Sequence, residues 1–321
     1  MALTLPNTLV NNTIADADEV MANFDYLLAL SDGLPEGTLI NGRLDVAVAT
    51  NNITVRILTD AGAVPSTSDP SYIKIGAIWY TIDSALSVTK NAGTNYGNAG
   101  GSELATKEID WFTYIILRTD AGKPTTNSNL DIGFSRICHG RVYSDFSSTT
   151  TNEKYLALGT AGTPTATDNA VNIGRFAATL SATASFNWSV PTFTQQNLIH
   201  TPIFETRWLD FVVTPSGSGS MGYGTITDTN TKYKIARNRC KTVFNFYGTT
   251  TGSASNEISF VWPFTPDDTG GYRYVVSIIG EATYVGLMYA NTTKWTCRKH
   301  DNSNWGIGAS RGFSDVIEYG I

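Results

Sequence analysis

From residue 41 onward, apolar side chains recur at every second position in short runs, and this alternation restricts most of the chain to β-strands. The clearest runs cover residues 44–48, 53–57, 240–246 and 258–264. Stretches rich in Gly, Pro, Asn and Ser separate the runs and favour turns. The 44 threonines favour strands as well. The sequence therefore predicts a mainly β protein whose domains are antiparallel β-sandwiches or are jelly-roll-like.

The beginning of the chain has a different period, because residues 15–30 place apolar side chains three and four positions apart. Asp16 as N-cap and Glu19 three residues later predict the start of one short helix. Its apolar stripe consists of Ala17, Val20, Met21, Phe24, Leu27 and Leu28. A helix of this length is marginal alone, so the stripe needs a partner. Two partners stay open: the sheet of the same chain, or the same helix of other copies in a bundle.

These changes of pattern divide the chain into three segments. Residues 1–40 are predicted to be a helical segment for attachment or oligomerisation, residues 41–200 a middle β domain, and residues 201–321 a C-terminal β-sandwich. The Ser-Gly-Ser-Gly-Ser run at 216–220 is typical of a flexible linker. The Gly-rich stretch 91–101 is predicted to be an exposed loop, because it has few large side chains to pack.

The tetrapeptide Thr-Asp-Ala-Gly follows a strand-like run twice, with its aspartates at Asp60 and Asp120. An Asp two residues before a Gly favours a tight turn, because the carboxylate accepts from its own backbone and Gly adopts positive φ. The two copies indicate either a duplicated strand-turn unit or two independent uses of a favourable turn.

Composition excludes several classes of function. Only 16% of residues are charged and the net charge is −6, so no basic face is available for nucleic acid. No apolar run is long enough to span a bilayer, and the first residues lack the features of a signal peptide. Three scattered cysteines do not make a disulfide framework and fit a reducing compartment.

The sequence contains no strong enzyme signal, so neither a catalytic activity nor a cofactor is predicted. His139, His200 and His300 are not at metal-ligand spacing, and no metal site is expected. Residues 217–222 match Gly-x-Gly-x-x-Gly, but no helix pattern follows them as a dinucleotide site requires. Polysaccharide cleavage would need one carboxylic acid and one carboxylate as its acid and base. The candidates, which are carboxylates near aromatic residues, are Asp110, Glu205, Asp210, Asp267 and Asp268.

Binding is more consistent with the aromatic content. Exposed rings beside amide and hydroxyl side chains suit saccharides, because a ring covers the apolar face of a sugar while polar groups bind its hydroxyls. The candidate glycan contacts are Trp305, Asn304, Asp301, Trp295 and Tyr272. Two other interpretations stay open: the rings fill a sandwich core, and residues 301–304 form an ordinary loop or hold a cation.

Two regions resemble bacteriophage tail-fibre and other virion appendage proteins. Residues 6–27 (PNTLVNNTIADADEVMANFDYL) are similar to the family motif N-G-x-x-A-D-A-x-x-V-N-A-N-F-x-x-L, with Thr13 and Met21 where Gly and Asn are common. Residues 233–249 and 258–264 resemble C-terminal β-sandwich modules of such fibres, without the usual Gly in the first hairpin turn.

The resemblance implies a homotrimeric virion protein without a cofactor, made in the host cytoplasm and assembled on the phage particle. Its job would be adhesion to a host-surface glycan or protein. The alternatives are a head-decoration or baseplate protein that contacts only other virion proteins, or a polysaccharide depolymerase. Contact with sister subunits would also explain the few charges, because much of the surface would be interface.

If the helical stripe is the interchain seam, replacing Phe24 and Leu28 by Asp removes the apolar contact and introduces like charges. We expect Phe24→Asp with Leu28→Asp to lower the oligomer mass measured by light scattering. An unchanged mass would show that the stripe is not the seam.

Overall fold

The computed structural model describes residues 33–321 except 100–103, 105, 161–162, 182–186, 197–203, 229, 268–272, 281–284 and 291–293. The described chain is mainly β, as predicted from the alternation, and all its strand pairs are antiparallel. Its helical segments are three single 3₁₀ turns, at Tyr96–Asn98, Asn127–Asn129 and Tyr143–Asp145. The predicted N-terminal helix and its apolar stripe lie outside the described residues.

The first half contains twelve strands in three sheets. The strands are β1 (Leu39–Ile40), β2 (Arg43–Ala49), β3 (Asn52–Leu58), β4 (Ser71–Ile75), β5 (Ile78–Ile82), β6 (Leu86–Asn91), β7 (Glu108–Leu117), β8 (Leu130–Ser135), β9 (Ala157–Leu158), β10 (Asn169–Ser181), β11 (Asn187–Trp188) and β12 (Phe193–Gln196). Two sheets have three strands each, in the orders β1-β4-β5 and β2-β3-β6. The third has the order β11-β10-β7-β8-β9, and β12 also pairs with β10.

The sheet β2-β3-β6 packs on the larger sheet. Gln196 joins the two, because its amide accepts from the Leu44 backbone at 3.1 Å and donates to the Gly42 carbonyl at 3.2 Å. Trp111 of β7 stacks on Phe176 and makes edge-to-face contacts with Phe134 and Trp188. The distances between ring centroids are 5.3–6.4 Å. Aromatic edge and offset contacts of this kind add to the stabilisation from buried area.

The loop after β6 is packed rather than exposed, so the prediction for residues 91–101 is wrong over its described part. Tyr96 stacks on Tyr155 and Trp188 at about 6 Å, and Ala92 and Ala99 are fully buried. Gly97 has φ +57° and lies against the aliphatic part of Arg136. The small residues that predicted exposure instead allow close approach of backbone to side chain.

The two Thr-Asp-Ala-Gly copies both form turns. The first uses the positive φ of its glycine, and the second uses the hydrogen bond to its aspartate carboxylate. Gly62 adopts φ +87° and donates its N–H to the Thr59 carbonyl at 2.8 Å. In the second copy the Asp120 carboxylate accepts the Gly122 N–H at 2.8 Å. The same carboxylate pairs with the buried guanidinium of Arg118.

The second half forms one ten-stranded sheet. Its strands are β13 (Leu209–Asp210), β14 (Ser216–Gly217), β15 (Gly222–Asp228), β16 (Lys232–Ala236), β17 (Arg239–Thr251), β18 (Ile258–Phe260), β19 (Arg273–Ile279), β20 (Val285–Ala290), β21 (Trp295–Lys299) and β22 (Gly308–Gly320). The order is β13-β16-β17-β22-β19-β20-β21-β18-β14, and β15 also pairs with β17.

This sheet curls over one core. Phe260 of β18 contacts Phe244 and Phe246 of β17 and Phe313 of β22, although four strands separate β17 from β18 in the sheet order. The predicted face of Cys240, Thr242, Phe244 and Phe246 is fully buried, which confirms the alternation.

Residues 72–80 form a hairpin, because the chain reverses at Gly76 and Ala77 between β4 and β5. One predicted connection differs from the structure. The expected linker at 216–220 begins with a strand, since Ser216 and Gly217 pair with Ser259 and Ile258. Glycine and serine there permit close packing on Met221 instead of flexibility.

The two halves meet around the guanidinium of Arg136, which is buried to 1% exposure. One terminal nitrogen donates to the Gly97 carbonyl at 2.5 Å and the other to the Pro263 carbonyl at 2.9 Å. The guanidinium also lies 4.7 Å from the centre of the Phe264 ring. Nearby, the Cys138 thiol donates to the Phe204 and Arg237 carbonyls. The largest sheet of the first half is therefore joined to the ten-stranded C-terminal sheet through buried polar contacts.

Replacing Arg136 by Met keeps an apolar stem but leaves two buried carbonyls without their donors. We expect Arg136→Met to lower the free energy of unfolding by about 3 kcal/mol or more. Arg56 is the matched control, because its ion pair with Asp45 is partly exposed, and Arg56→Met should cost below about 1 kcal/mol. Equal losses in urea unfolding would contradict the assigned role.

Candidate functional site

A cavity of about 540 Å³ on the outward side of the C-terminal sheet includes part of the predicted glycan loop. Its lining residues are Leu287, Met288, Tyr289, Arg298, Lys299, His300 and Asn302. These belong to β20, to β21 and to the turn that follows β21.

Strand register places the polar lining side by side. Leu287 pairs with Arg298, and Ile258 pairs with Cys297, so Glu257 lies next to Arg298 on the adjacent strand. Because side chains alternate across a strand, Leu287 and Tyr289 share one face. Leu287 is 45% exposed, whereas Met288 between them is fully buried. The outward face thus presents an apolar side chain, an aromatic ring and a charge pair.

Arg298, Glu257 and Tyr289 form one bonded group. The Arg298 guanidinium donates to Glu257 Oε1 through Nε at 2.7 Å and also through Nη2. The Tyr289 hydroxyl donates to the same oxygen at 3.1 Å, and the guanidinium lies 5.5 Å from the centre of the Tyr289 ring. The carboxylate raises the pKa of Arg298, while desolvation and Glu257 raise the pKa of Tyr289. The hydrogen bonds therefore hold ring, cation and carboxylate in fixed relative positions.

Of the predicted loop 301–304, Asn302 lines this cavity. Asp301 Oδ1 accepts the Ser303 N–H at 2.9 Å, and the Ser303 hydrogen bonds lower the pKa of Asp301. Asn302 Oδ1 accepts from Asn256 Nδ2 at 3.3 Å. Lys299 Nζ donates to the Asn304 carbonyl at 2.7 Å. Asp301, Asn302 and Asn304 are exposed, so their free polar atoms face solvent.

Trp295 and Trp305 are not exposed, which corrects their expected role as stacking rings. Both side chains are fully buried. Trp295 packs on Trp262 and Tyr319, and Trp305 packs on Phe313. Their closeness to polar turns in the sequence suggested exposure. Strand alternation directs Trp295 inward, and the backbone N–H of Trp305 donates to the Ser255 carbonyl, which holds that residue against the core. Tyr272 lies outside the described residues.

The candidate site residues that the sequence pattern did not indicate are Glu257, Leu287, Tyr289 and Arg298. Leu287, Tyr289 and Arg298 lie on β20 and β21 and Glu257 lies just before β18, whereas the predicted contacts were chosen for their closeness to loops. The sequence did contain one indication of this site. Leu287 and Tyr289 lie on one face of a strand and Met288 lies on the other, so if one face is buried the other presents its side chains outward.

This arrangement suits binding of a polyhydroxylated ligand. A tyrosine ring and a leucine side chain offer apolar contact to a sugar ring. The guanidinium donates, the carboxylate accepts, and the amides of Asn302 and Asn304 do both. No covalent chemistry is required of any of these groups.

The carboxylates considered for polysaccharide cleavage do not converge. Asp110 is buried and pairs with Arg175 at 3.2 Å and Arg207 at 2.7 Å. Glu205 pairs with Lys234, and Asp210 lies near Lys232. Asp267 lies beside the end of β22, where its N–H donates to the Gly320 carbonyl. Asp268 lies outside the described residues. Asp110, Glu205 and Asp210 thus belong to three different ion-paired groups.

Within the described ranges, no three His, Cys, Asp or Glu side chains are grouped so that they could hold a metal ion. His139 Nδ1 donates to the Arg237 carbonyl at 3.0 Å, and burial lowers its pKa. No helix in the described part of the chain is long and apolar enough to cross a membrane.

Comparison with known proteins leaves the site to be interpreted from its own chemistry. No protein-family model matches the chain. No curated protein matches it, and no solved structure does.

The three cysteines provide a test of the fold around the site. Burial raises the pKa of Cys138 to about 12 and of Cys240 to about 11, and it raises the pKa of Cys297 as well. We expect no reaction of these thiols with a disulfide reagent at pH 8 in the native protein, and rapid reaction of all three in urea. Native reactivity equal to that in urea would contradict their burial.

The same shifts predict the direction of the pH dependence of stability. The folded protein favours the protonated thiols, because their pKa values are raised by folding. The stability that this preference contributes is complete below pH 9, near the thiol pKa of the unfolded chain, and is lost as pH rises towards 11–12. The urea midpoint of unfolding should therefore be lower at pH 10.5 than at pH 8, and this difference should be smaller in Cys138→Ala.

Proposed function

We propose that this chain is a structural protein of a bacteriophage virion, a tail-fibre or receptor-binding component that attaches to a saccharide of the host surface. The observation on which the proposal mainly rests is the cavity at Tyr289, Arg298 and Glu257, where an aromatic ring, a cation and a carboxylate meet beside exposed amides. The mainly β fold and the sequence resemblance of residues 6–27 are consistent with it.

In this proposal the N-terminal helical segment joins three copies through Ala17, Val20, Met21, Phe24, Leu27 and Leu28. The C-terminal sheet, a sandwich of the jelly-roll class, then points away from the particle. No cofactor and no catalytic step are involved, and the partners are sister subunits, other virion proteins and the host surface.

A second candidate function is favoured by the small sheet β1-β4-β5. Ile40 and Tyr72 lie opposite each other on neighbouring strands, and both side chains are exposed. An apolar sheet face of this kind is typical of protein contacts. It supports a head-decoration or baseplate role, in which the chain contacts only other virion proteins.

The attachment proposal predicts that loss of the bonded group abolishes saccharide binding. On an array of bacterial surface saccharides, Tyr289→Ala and Arg298→Ala should each reduce binding at least about tenfold, since each removes a ring contact or charged hydrogen bonds of the order of 1–3 kcal/mol.

Tyr72→Ala and Arg56→Ala are matched controls, because they remove an exposed tyrosine and an exposed ion-paired arginine from other sheets. Equal binding by all variants, or no binding by the wild type, would favour the decoration role. Release of new reducing ends from a bound polysaccharide would instead indicate a depolymerase.

A further inference from the structure

A second surface of the C-terminal sheet presents an exposed tryptophan. Trp208 is 43% exposed and immediately precedes β13, whose first residue, Leu209, is buried. Leu209 pairs with Tyr233, so Trp208 lies beside Lys234 of β16. A large ring held in water by an ordered strand contributes little to folding, and this suggests a role in contact with a ligand.

Charged side chains continue this row across the sheet. Lys234 lies opposite Lys241 of β17, and Lys241 lies opposite Glu318 of β22. The residues surround a cavity of about 300 Å³ whose lining is Glu205, Trp208, Lys234, Ala236, Arg239, Lys241 and Glu318. Ala236 is the smallest of these side chains, so it leaves room between the ring and the charges.

Two ion pairs orient the charged groups. Lys234 Nζ lies 2.8 Å from Glu205 Oε2, and Arg239 Nε lies 2.7 Å from Glu318 Oε1. Both pairs are partly exposed, and all four residues line the cavity. Lys241 is exposed between them, and within the described ranges no carboxylate pairs with it. Three cations against two carboxylates make this cavity positive on a chain of net charge −6.

We infer that the cavity beside Trp208 binds an acidic saccharide, one whose sugar ring bears a carboxylate. The indole face would cover the apolar face of the sugar, Lys241 would pair with its carboxylate, and the two ion pairs would bind its hydroxyls. A bare anion would leave the ring unused. A nucleic acid would need a longer basic track than this surface offers.

This inference rests on the proposed attachment function for its setting, but it concerns different residues from the Tyr289 cavity. The two cavities differ in charge chemistry, because Arg298 is already paired with Glu257, whereas Lys241 is available. The Trp208 cavity therefore selects the acidic sugars of a surface polysaccharide.

The test uses the full chain with tetragalacturonate and with the same oligosaccharide as its methyl ester, which removes only the charge. We expect the acid to bind and to change tryptophan fluorescence, and the ester to bind at least about tenfold more weakly. Trp208→Ala should reduce affinity for the acid about tenfold or more and Lys241→Ala by several-fold. Salt should weaken binding of the acid in the wild type and less so in Lys241→Ala.

Lys232→Ala is the matched control, because Lys232 lies on the same strand as Lys234 but outside the cavity lining. Equal affinity for acid and ester, or unchanged binding by Trp208→Ala, would overturn the inference, as would the absence of binding. A lower oligomer mass for Trp208→Ala in light scattering would also overturn it, since a second copy would then cover the ring.

Tyr289→Ala separates this inference from the proposed function. If it leaves tetragalacturonate binding intact while abolishing binding on the saccharide array, both sites stand. If it abolishes tetragalacturonate binding and Trp208→Ala does not, the acidic-saccharide site is wrong and the attachment proposal remains.

Discussion

The buried guanidinium of Arg136 is the interaction on which the arrangement of the whole molecule depends. A charge withdrawn from water is costly unless its donors are satisfied, and here the acceptors are backbone carbonyls from two distant parts of the chain. These two hydrogen bonds join the loop of Gly97 and the segment of Pro263 to Arg136, which directly follows β8, and so connect the two halves of the chain. In the same loop, the Tyr96 ring stacks on Trp188.

A second group of charges acts at the same junction. Asp110, fully buried on β7, accepts from Arg175 on β10 and from Arg207 just before β13. The guanidinium of Arg207 also lies 4.3 Å from the Phe193 ring centre. These contacts fix the backbone immediately before Trp208. The exposed ring is thus presented by a segment whose neighbour is anchored in the middle domain.

Both surfaces proposed for binding are parts of strands rather than of long loops. Ladder pairing sets the positions of Tyr289, Arg298 and Glu257 to within the spacing of adjacent strands, and the ion pairs restrict their side-chain rotation. Little ordering is then needed when a ligand binds, which favours affinity. The same reasoning applies to the row of Lys234, Lys241 and Glu318, where three neighbouring strands place two cations and a carboxylate side by side.

The mainly β fold was predictable from the sequence, because a period of two is a local property that strands such as β3, β16 and β17 show. The sequence also determined the buried face from Cys240 to Phe246 and the turns at Asp60 and Asp120. Tertiary structure alone decided which small-residue segments were packed: the Gly-rich loop near Gly97 is buried because Arg136 needs its carbonyl, and Ser216 belongs to a strand because Ser259 pairs with it.

The same distinction explains the site. Alternation predicts that one side chain in two faces outward, but which face is outward depends on which sheet packs against it, and this is a long-range property. Trp295 and Trp305 are inside because the sheet curls over them, whereas Trp208 and Tyr289 are on the outer side of that curl. The pairing of Glu257 with Arg298 joins strands 41 residues apart, and no local pattern in the sequence signals it.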